Sequence, residues 1–164
     1  MTLDGFERLE VYSFALEYPI NCIVEFNPKS KRTEGDIALK SSSGYRIFIS
    51  WGPMEKVAKF KDADAHADYS LGRVGKSGEA KIKDVKKEFR RVNGHHAAFS
   101  HIKLDLIKRG IFFNKTLTPQ EVRSLHVHCP DSSRYFVLYC PGNLSQSAEQ
   151  GEVLAKMIGS FTCH

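Results

Sequence analysis

The dipeptide Asn93-Gly94 lies between two apolar-rich runs and constrains the fold more than any other feature of the sequence. Both residues accept the positive φ angles of a type I′ turn, which joins two antiparallel strands through a two-residue loop. Phe89 and Val92 precede the turn, and apolar residues recur after it over positions 97–106. The sequence therefore predicts a long β-hairpin centred on this turn, with the rest of the chain arranged around the sheet that contains it.

Runs that alternate apolar and polar residues predict strands in the rest of the chain. The segment from Ser41 to Gly44 has the composition of a turn between two of them. Pro119, followed by glutamine and glutamate, has the form of a helix start, so we expect one helical turn over residues 118–121 and a strand after it. The predicted strands outside the central hairpin span residues 6–11, 13–18, 22–26, 37–40, 45–51, 122–129 and 135–140.

Two segments have apolar residues at the spacing of an amphipathic helix. The first carries a stripe from Ala63 to Val74, with Asp62 placed to cap its N-terminus. The second starts near Ser145 or Ser147 and carries a stripe from Leu154 to Phe161. Strands that pair through short turns, with one helix in mid-chain and one at the end, predict an α+β protein whose antiparallel sheet is flanked by helices.

The overall composition is that of a globular protein with a sizeable core, and 164 residues suit one domain spanning 1–164. No apolar run has the length of a membrane helix. The first residues lack the basic and apolar parts of a secretory signal, so we expect a cytoplasmic location. In a secreted protein four cysteines would suggest two disulfides, but without a secretory signal free thiols that pack as small apolar side chains are the favoured interpretation: Cys22, Cys129, Cys140 and Cys163. No Cys-x-x-Cys motif is present, so neither a zinc knuckle nor a thioredoxin-type redox pair is expected.

Three short segments have a familiar form: Phe14–Pro19 before a strand, Val92–Ala97 at the central hairpin, and Met157–Phe161 in the last helix. These segments resemble the PsbP-like superfamily, which also includes the Ran-binding Mog-type proteins. In the order of its elements, the likeness extends over the whole chain. The resemblance implies an α/β/α sandwich with a mostly antiparallel central sheet. It also implies a protein that acts as a binding or assembly module.

Positive charge is concentrated before the central turn. The chain has a net charge of +5, and residues 76–91 hold seven bases and three acids, so this segment carries 7 − 3 = +4. Such a segment attracts acidic proteins or phosphates, whereas the alternative interpretation is an edge strand protected from aggregation by its lysines. Two more bases and two aromatic residues follow the hairpin. The candidate binding residues are Lys81, Lys83, Lys86, Lys87, Arg90, Arg91, Lys108, Arg109, Phe112 and Phe113.

Histidines are the candidate metal ligands. His95 and His101 are an even number of residues apart on one predicted strand, so their side chains point to the same face. The same holds for His126 and His128 on another strand. If the two strands are neighbours, two to four imidazoles converge on one sheet face, which would suit zinc. The spacing matches no metal motif, so satisfied or surface histidines are the favoured interpretation, and no cofactor is expected. His66 and His164 are expected to face solvent.

The sequence contains no Gly-x-Ser-x-Gly motif, and we can name no base positioned beside a cysteine. A non-enzymatic role is therefore favoured. We expect a monomer or homodimer that contacts a protein with an acidic surface and does not bind a membrane. The basic strand and the aromatic loop at 112–113 would form the contact. Nucleic-acid binding through the same bases and small-molecule or metal binding by the histidines are the alternatives.

Overall fold

A seven-stranded antiparallel sheet forms the centre of the structure, a computed structural model that describes residues 5–164. Residues 1–4, on which the expectation about a secretory signal partly rests, lie outside the described residues. The helices are α1 (Ala63–Lys76) and α2 (Ser147–Ser160). The strands are β1 (Phe6–Val11), β2 (Phe14–Pro19), β3 (Cys22–Phe26), β4 (Gly35–Ser41), β5 (Arg46–Pro53), β6 (Ala80–Val92), β7 (His95–Arg109), β8 (Lys115–Cys129) and β9 (Arg134–Asn143).

The predicted central hairpin is present and consists of β6 and β7. Asn93 has a φ of 51° and Gly94 a φ of 80°, as a type I′ turn requires. The strand order in the main sheet is β3-β4-β5-β9-β8-β7-β6, so β3 and β6 are its edges. Strands β1 and β2 form a separate two-stranded hairpin.

Two layers cover the main sheet from opposite sides. On one side, α2 and strand β2 pack together, and Leu154 and Met157 of α2 join Phe14 and Leu16 of β2 in the main core. On the other side, Leu71 and Val74 of α1 pack against a smaller cluster on β6, β7 and β8. The result is an α/β/α sandwich with an antiparallel sheet, which confirms the predicted fold class.

The mid-chain helix has the predicted start. The Asp62 carboxylate accepts a hydrogen bond from the Ala65 backbone N–H at 2.9 Å, which satisfies one of the free amides of the first turn. Ala63 and Ala67 are buried against Ala98 of β7. Small side chains at these positions let α1 approach the sheet closely.

The helical turn predicted over residues 118–121 is wrong, because β8 continues through this segment as a strand. Pro119 is opposite Asp105 of β7, and the pairing of β8 with β9 begins only at Gln120. Pro119 therefore lies where β8 has a single neighbouring strand. A residue without a backbone N–H is tolerated there, since its other side has no ladder to complete.

Strands β7 and β8 extend beyond the rest of the sheet. The pairing of β6 with β7 begins at Leu106, whereas β7 and β8 stay paired as far as Arg109 and Lys115. Residues 107–119 therefore form a two-stranded projection, which we call the arm. Its tip is closed by a hydrogen bond from the Gly110 N–H to the Asn114 carbonyl at 2.8 Å.

A buried guanidinium joins the segments at the other end of the sheet. Arg134, only 2% exposed, donates from Nη1 to the carbonyls of Tyr12 (2.6 Å) and Arg32 (2.8 Å). Its Nη2 donates to the carbonyls of Ser13 (2.8 Å) and Cys163 (3.2 Å). One side chain thus fixes the β1–β2 turn, the loop before β4 and the segment after α2.

We expect Arg134→Met to destabilise the protein by at least about 3 kcal/mol, because it leaves four carbonyls without their donor. Urea unfolding monitored by circular dichroism measures the change. Arg32→Met is the matched control, since this exposed side chain donates to the Ser13 hydroxyl and its loss should cost about 0.5 kcal/mol. Equal losses in the two variants would contradict the role of Arg134.

Candidate interaction surface

Six of the seven bases before the central turn lie on strand β6, at an edge of the sheet, whereas Lys76 is the last residue of α1. Val85 packs in the cluster beneath α1, whereas Val92 belongs to the main core on the opposite face. Because successive side chains of a strand alternate between faces, Lys87 and Arg91 share the face of Val85, and Lys86 shares that of Val92. The bases are therefore divided between two faces of the sheet.

Carboxylates close to the strand neutralise half of these six bases. Lys83 Nζ lies 2.8 Å from the buried Asp105 Oδ2, and Lys87 pairs with Asp68 of α1. Arg90 Nη2 lies 3.0 Å from Glu88 Oε2. Within residues 5–164, the remaining three make no ion pair: Lys81, Lys86 and Arg91.

The tip of the arm carries three apolar side chains that pack against almost nothing. The exposed fractions are 95% for Ile111, 82% for Phe112 and 95% for Phe113. Monomeric proteins rarely present large apolar side chains together in this way unless the patch makes a contact. The arm is thus the most apolar projecting feature of the described chain.

The stem of the arm is cationic. Lys108, Arg109 and Lys115 are exposed, and the arm contains no acidic residue. None of the three bases has an ion-pair partner in the part of the chain that the structure describes. An apolar tip on a cationic stem suits a surface that is acidic around an apolar depression.

The ten predicted binding residues do not form one site. Lys81 is opposite Asp105, next to the base of the arm, whereas Arg91 is opposite His96 at the other end of the hairpin. A strand rises about 3.3 Å per residue, so about 30 Å separates Lys81 from Arg91. Only Lys81 and Lys83 lie near the arm residues Lys108, Arg109, Phe112 and Phe113.

The four histidines of the alternative metal-site interpretation do not converge on one face of the sheet. The register places Ala98 opposite His126, so His126 and His128 face α1. His95 and His101 face the other side of the sheet, where His101 Nε2 lies 2.8 Å from Glu121 Oε2. The spacing along each strand correctly placed the two histidines of each pair on one face. The register between the strands decides which face that is, and it places the two pairs on opposite faces.

A different set of histidines meets beneath α1. His66 Nδ1 lies 3.1 Å from His128 Nε2, and the His66 ring centroid lies 4.7 Å from that of His126. Phe60 stacks on the His66 ring at 4.9 Å. The expectation that His66 faces solvent is therefore wrong, because α1 turns this side chain towards the sheet.

Burial determines the charge of these imidazoles. Together with the neighbouring histidines, it lowers the pKa of His66 to about 4 and that of His126 to about 3. Burial also lowers the pKa of His128. The three rings are therefore neutral at neutral pH and can exchange hydrogen bonds with one another and with the Ser70 hydroxyl, 3.3 Å from His126 Nε2.

A cavity of about 290 Å³ lies next to these histidines, between α1 and the sheet. Ser100, Ser124 and His126 line one part of it, and Ile102 and Val122 line another. Its volume is at the lower limit of about 300 Å³ for small-molecule sites, and its polar groups are neutral. This cavity can accept a small uncharged molecule.

The neutral histidines make stability depend on pH. In the unfolded chain an imidazole takes up a proton near pH 6.5, whereas native His126 does so near pH 3, so the unfolded state binds more protons between these values. Stability should therefore fall with falling pH, and His126 alone should account for a loss on the order of 2 kcal/mol between pH 7 and pH 5.

Denaturant unfolding of wild type and His126→Gln over this pH range measures that loss. The variant should be less stable at pH 7, but its stability should change less with pH. If the two curves of stability against pH run parallel, His126 is not the group that is kept neutral.

The architecture defines the class of protein: an α/β/α sandwich around an antiparallel sheet, here with a projecting arm. Within that class, the fold is that of PsbP-like and Mog1-type proteins. The structure matches cyanobacterial PsbP (CyanoP) from Synechocystis sp. PCC 6803 with a TM-score of 0.66 and 9% sequence identity, covering 97% of this chain and 92% of that one. It matches the Ran-binding protein Mog1p of Saccharomyces cerevisiae with a TM-score of 0.62 and 9% identity, covering 97% and 95%.

The sequence itself matches no protein-family profile and no curated protein. At 9% identity, the likeness to the two solved structures establishes the fold alone. In residues 5–164, no helix has the length and apolar character needed to cross a membrane.

Proposed function

We propose that this chain is a non-enzymatic binding module that docks on an acidic surface of a partner protein through its arm. The observation that carries the proposal is the arm tip, where Ile111, Phe112 and Phe113 are each more than four-fifths exposed. Lys81 and Lys83 on the neighbouring edge strand form the second part of the contact.

The energetics of protein interfaces favour this use of the tip. Burying one exposed phenylalanine side chain is worth about 1.5–3 kcal/mol, and a few such anchors supply most of the affinity of an interface. Cationic groups around the anchors accelerate the encounter with an acidic partner and orient it. Lys108, Arg109 and Lys115 surround the tip in this way.

The fold supports a protein as the partner. Mog1p, which has the same fold, is a Ran-binding protein, so this architecture is compatible with recognition of another protein. Nucleic-acid binding is the less favoured alternative. It would require a row of free cations that follows a phosphate backbone, and three of the six bases of β6 are already paired with carboxylates.

The double variant Phe112→Ser, Phe113→Ser should lose affinity for the partner by about 100-fold or more, since two interface anchors are removed. Ile23→Ser is the matched control, because Ile23 is 69% exposed on the opposite edge strand, β3. Immobilised wild type and both variants are compared by quantitative mass spectrometry of proteins captured from nuclease-treated lysate of the source organism. The captured partner is then titrated against each.

A partner retained by wild type and Ile23→Ser but lost by the double variant supports the proposal. A partner retained equally by all three would contradict the role of the arm. Capture that disappears on nuclease treatment, with affinity for RNA or DNA that falls steeply as salt rises, would replace the proposal with nucleic-acid binding.

A further inference from the structure

Two cysteines and two histidines meet at the end of the sheet opposite the arm. His95 is the first residue of β7, Cys129 is the last residue of β8, and Cys163 and His164 follow α2. One nitrogen or sulfur atom from each of these four side chains lies within 4.8 Å of all the others. Two thiolates and two imidazoles form a common donor set of structural zinc sites.

Three of the six distances between these donors match those of a tetrahedral site. Zn–S bonds of about 2.3 Å and Zn–N bonds of about 2.0 Å at tetrahedral angles separate sulfur from nitrogen by about 3.5 Å. Cys129 Sγ lies 3.5 Å from His95 Nε2 and 3.6 Å from His164 Nδ1. Cys163 Sγ lies 3.5 Å from His164 Nδ1. Thiol hydrogen bonds have similar lengths, but such pairwise contacts would not require all four donor atoms to lie within 4.8 Å of one another.

Rigid elements hold each of the four side chains in place. The register of β7 and β8, with Ala97 opposite Val127, brings His95 next to Cys129 across the ladder. The segment after α2 is held by the bridge between Ala15 and Thr162 and by the hydrogen bond from Arg134 to the Cys163 carbonyl. The donors are thus brought together by the fold itself, as a preorganised metal site requires.

Two of the four donors are buried thiols, and one side of the cluster is open to solvent. Cys129 and Cys163 are fully buried, the His95 side chain is 14% exposed and that of His164 is 43% exposed, which leaves one side open for entry. Asp131 Oδ2 lies 3.8 Å from His164 Nε2, the nitrogen of that ring that does not face the thiols, so this carboxylate is placed to orient the His164 ring. Its contact with His95 Nε2 at 3.3 Å involves the ligating nitrogen itself and would be replaced by a bound metal.

A side-chain amide and a guanidinium complete the surroundings. Asn93 Nδ2 donates to Cys163 Sγ at 3.5 Å, which stabilises a ligating sulfur. The same nitrogen lies 3.2 Å from His164 Nδ1, a contact that a bound metal would replace. With two thiolates the bound Zn²⁺ is neutral overall, and Arg134 and Asp131 balance each other.

We propose that His95, Cys129, Cys163 and His164 form a structural zinc site that clamps the end of the chain to the central hairpin. Only His95 belongs to the histidine set that the sequence suggested as ligands. The site is independent of the arm and of the cavity beneath α1.

The test uses the full chain, produced without an affinity tag, purified under reducing conditions and reconstituted with zinc. Elemental analysis should find one zinc per chain in wild type and in Cys140→Ser, which removes a buried thiol outside the cluster. Cys129→Ser should lose the metal. Cobalt-substituted wild type should show the ligand-field bands of a tetrahedral site and a thiolate charge-transfer band, and zinc should raise its melting temperature.

His164→Ala serves as the second variant, because this partly exposed side chain can be removed without opening the core. It should fold and bind zinc at least about tenfold more weakly than wild type. Zinc content that is equal in wild type, Cys129→Ser and His164→Ala would overturn the proposal. So would wild type that binds no metal when reduced, or that holds a Cys129–Cys163 disulfide when isolated without reductant.

Discussion

The buried guanidinium of Arg134 is the interaction on which one whole end of the molecule depends. Burying a charged group is costly unless its donors are paired, and here four backbone carbonyls accept hydrogen bonds from four of the five guanidinium N–H groups. Those carbonyls come from three segments that are far apart in the sequence. The hydrogen bonds therefore fix the β1–β2 hairpin and the chain end relative to β9. The positions of Cys163 and His164, and with them the cysteine–histidine cluster, follow from this arrangement.

At the opposite end of the sheet, apolar side chains are exposed rather than packed. Beyond Leu106, strands β7 and β8 have only each other as neighbours, and the arm leaves the layers that cover the rest of the sheet. Apolar side chains that the fold could have buried elsewhere are placed at its tip, away from any core. Because Ile111, Phe112 and Phe113 are exposed there, they contribute no stability to the isolated chain.

Local chemistry explains which parts of this fold were predictable from sequence. The Asn93-Gly94 turn, the Asp62 cap and the α2 stripe each depend on residues close together in the chain, and all three are confirmed. Pro119 led to a wrong helix prediction because the signal for a helix start is local. A proline is tolerated at this position of β8 only because the pairing with β9 does not reach it. The face occupied by each histidine pair depends on the register between β7 and β8, which no single strand contains. His66 was missed because its role depends on how α1 docks.

The cysteine–histidine cluster shows the same limit most clearly. Zinc motifs are recognisable in a sequence when two ligands come from one short turn, as in Cys-x-x-Cys. Here only Cys163 and His164 are neighbours, and the other two donors come from adjacent strands whose ends meet in space. A site of this kind can be seen only after the strand register and the path of the final segment are known. The two ends of strand β7 thus differ. At the Asn93-Gly94 end, Asn93 contacts Cys163 and His164 of the cluster, whereas at the other end β7 continues with β8 into the projecting arm.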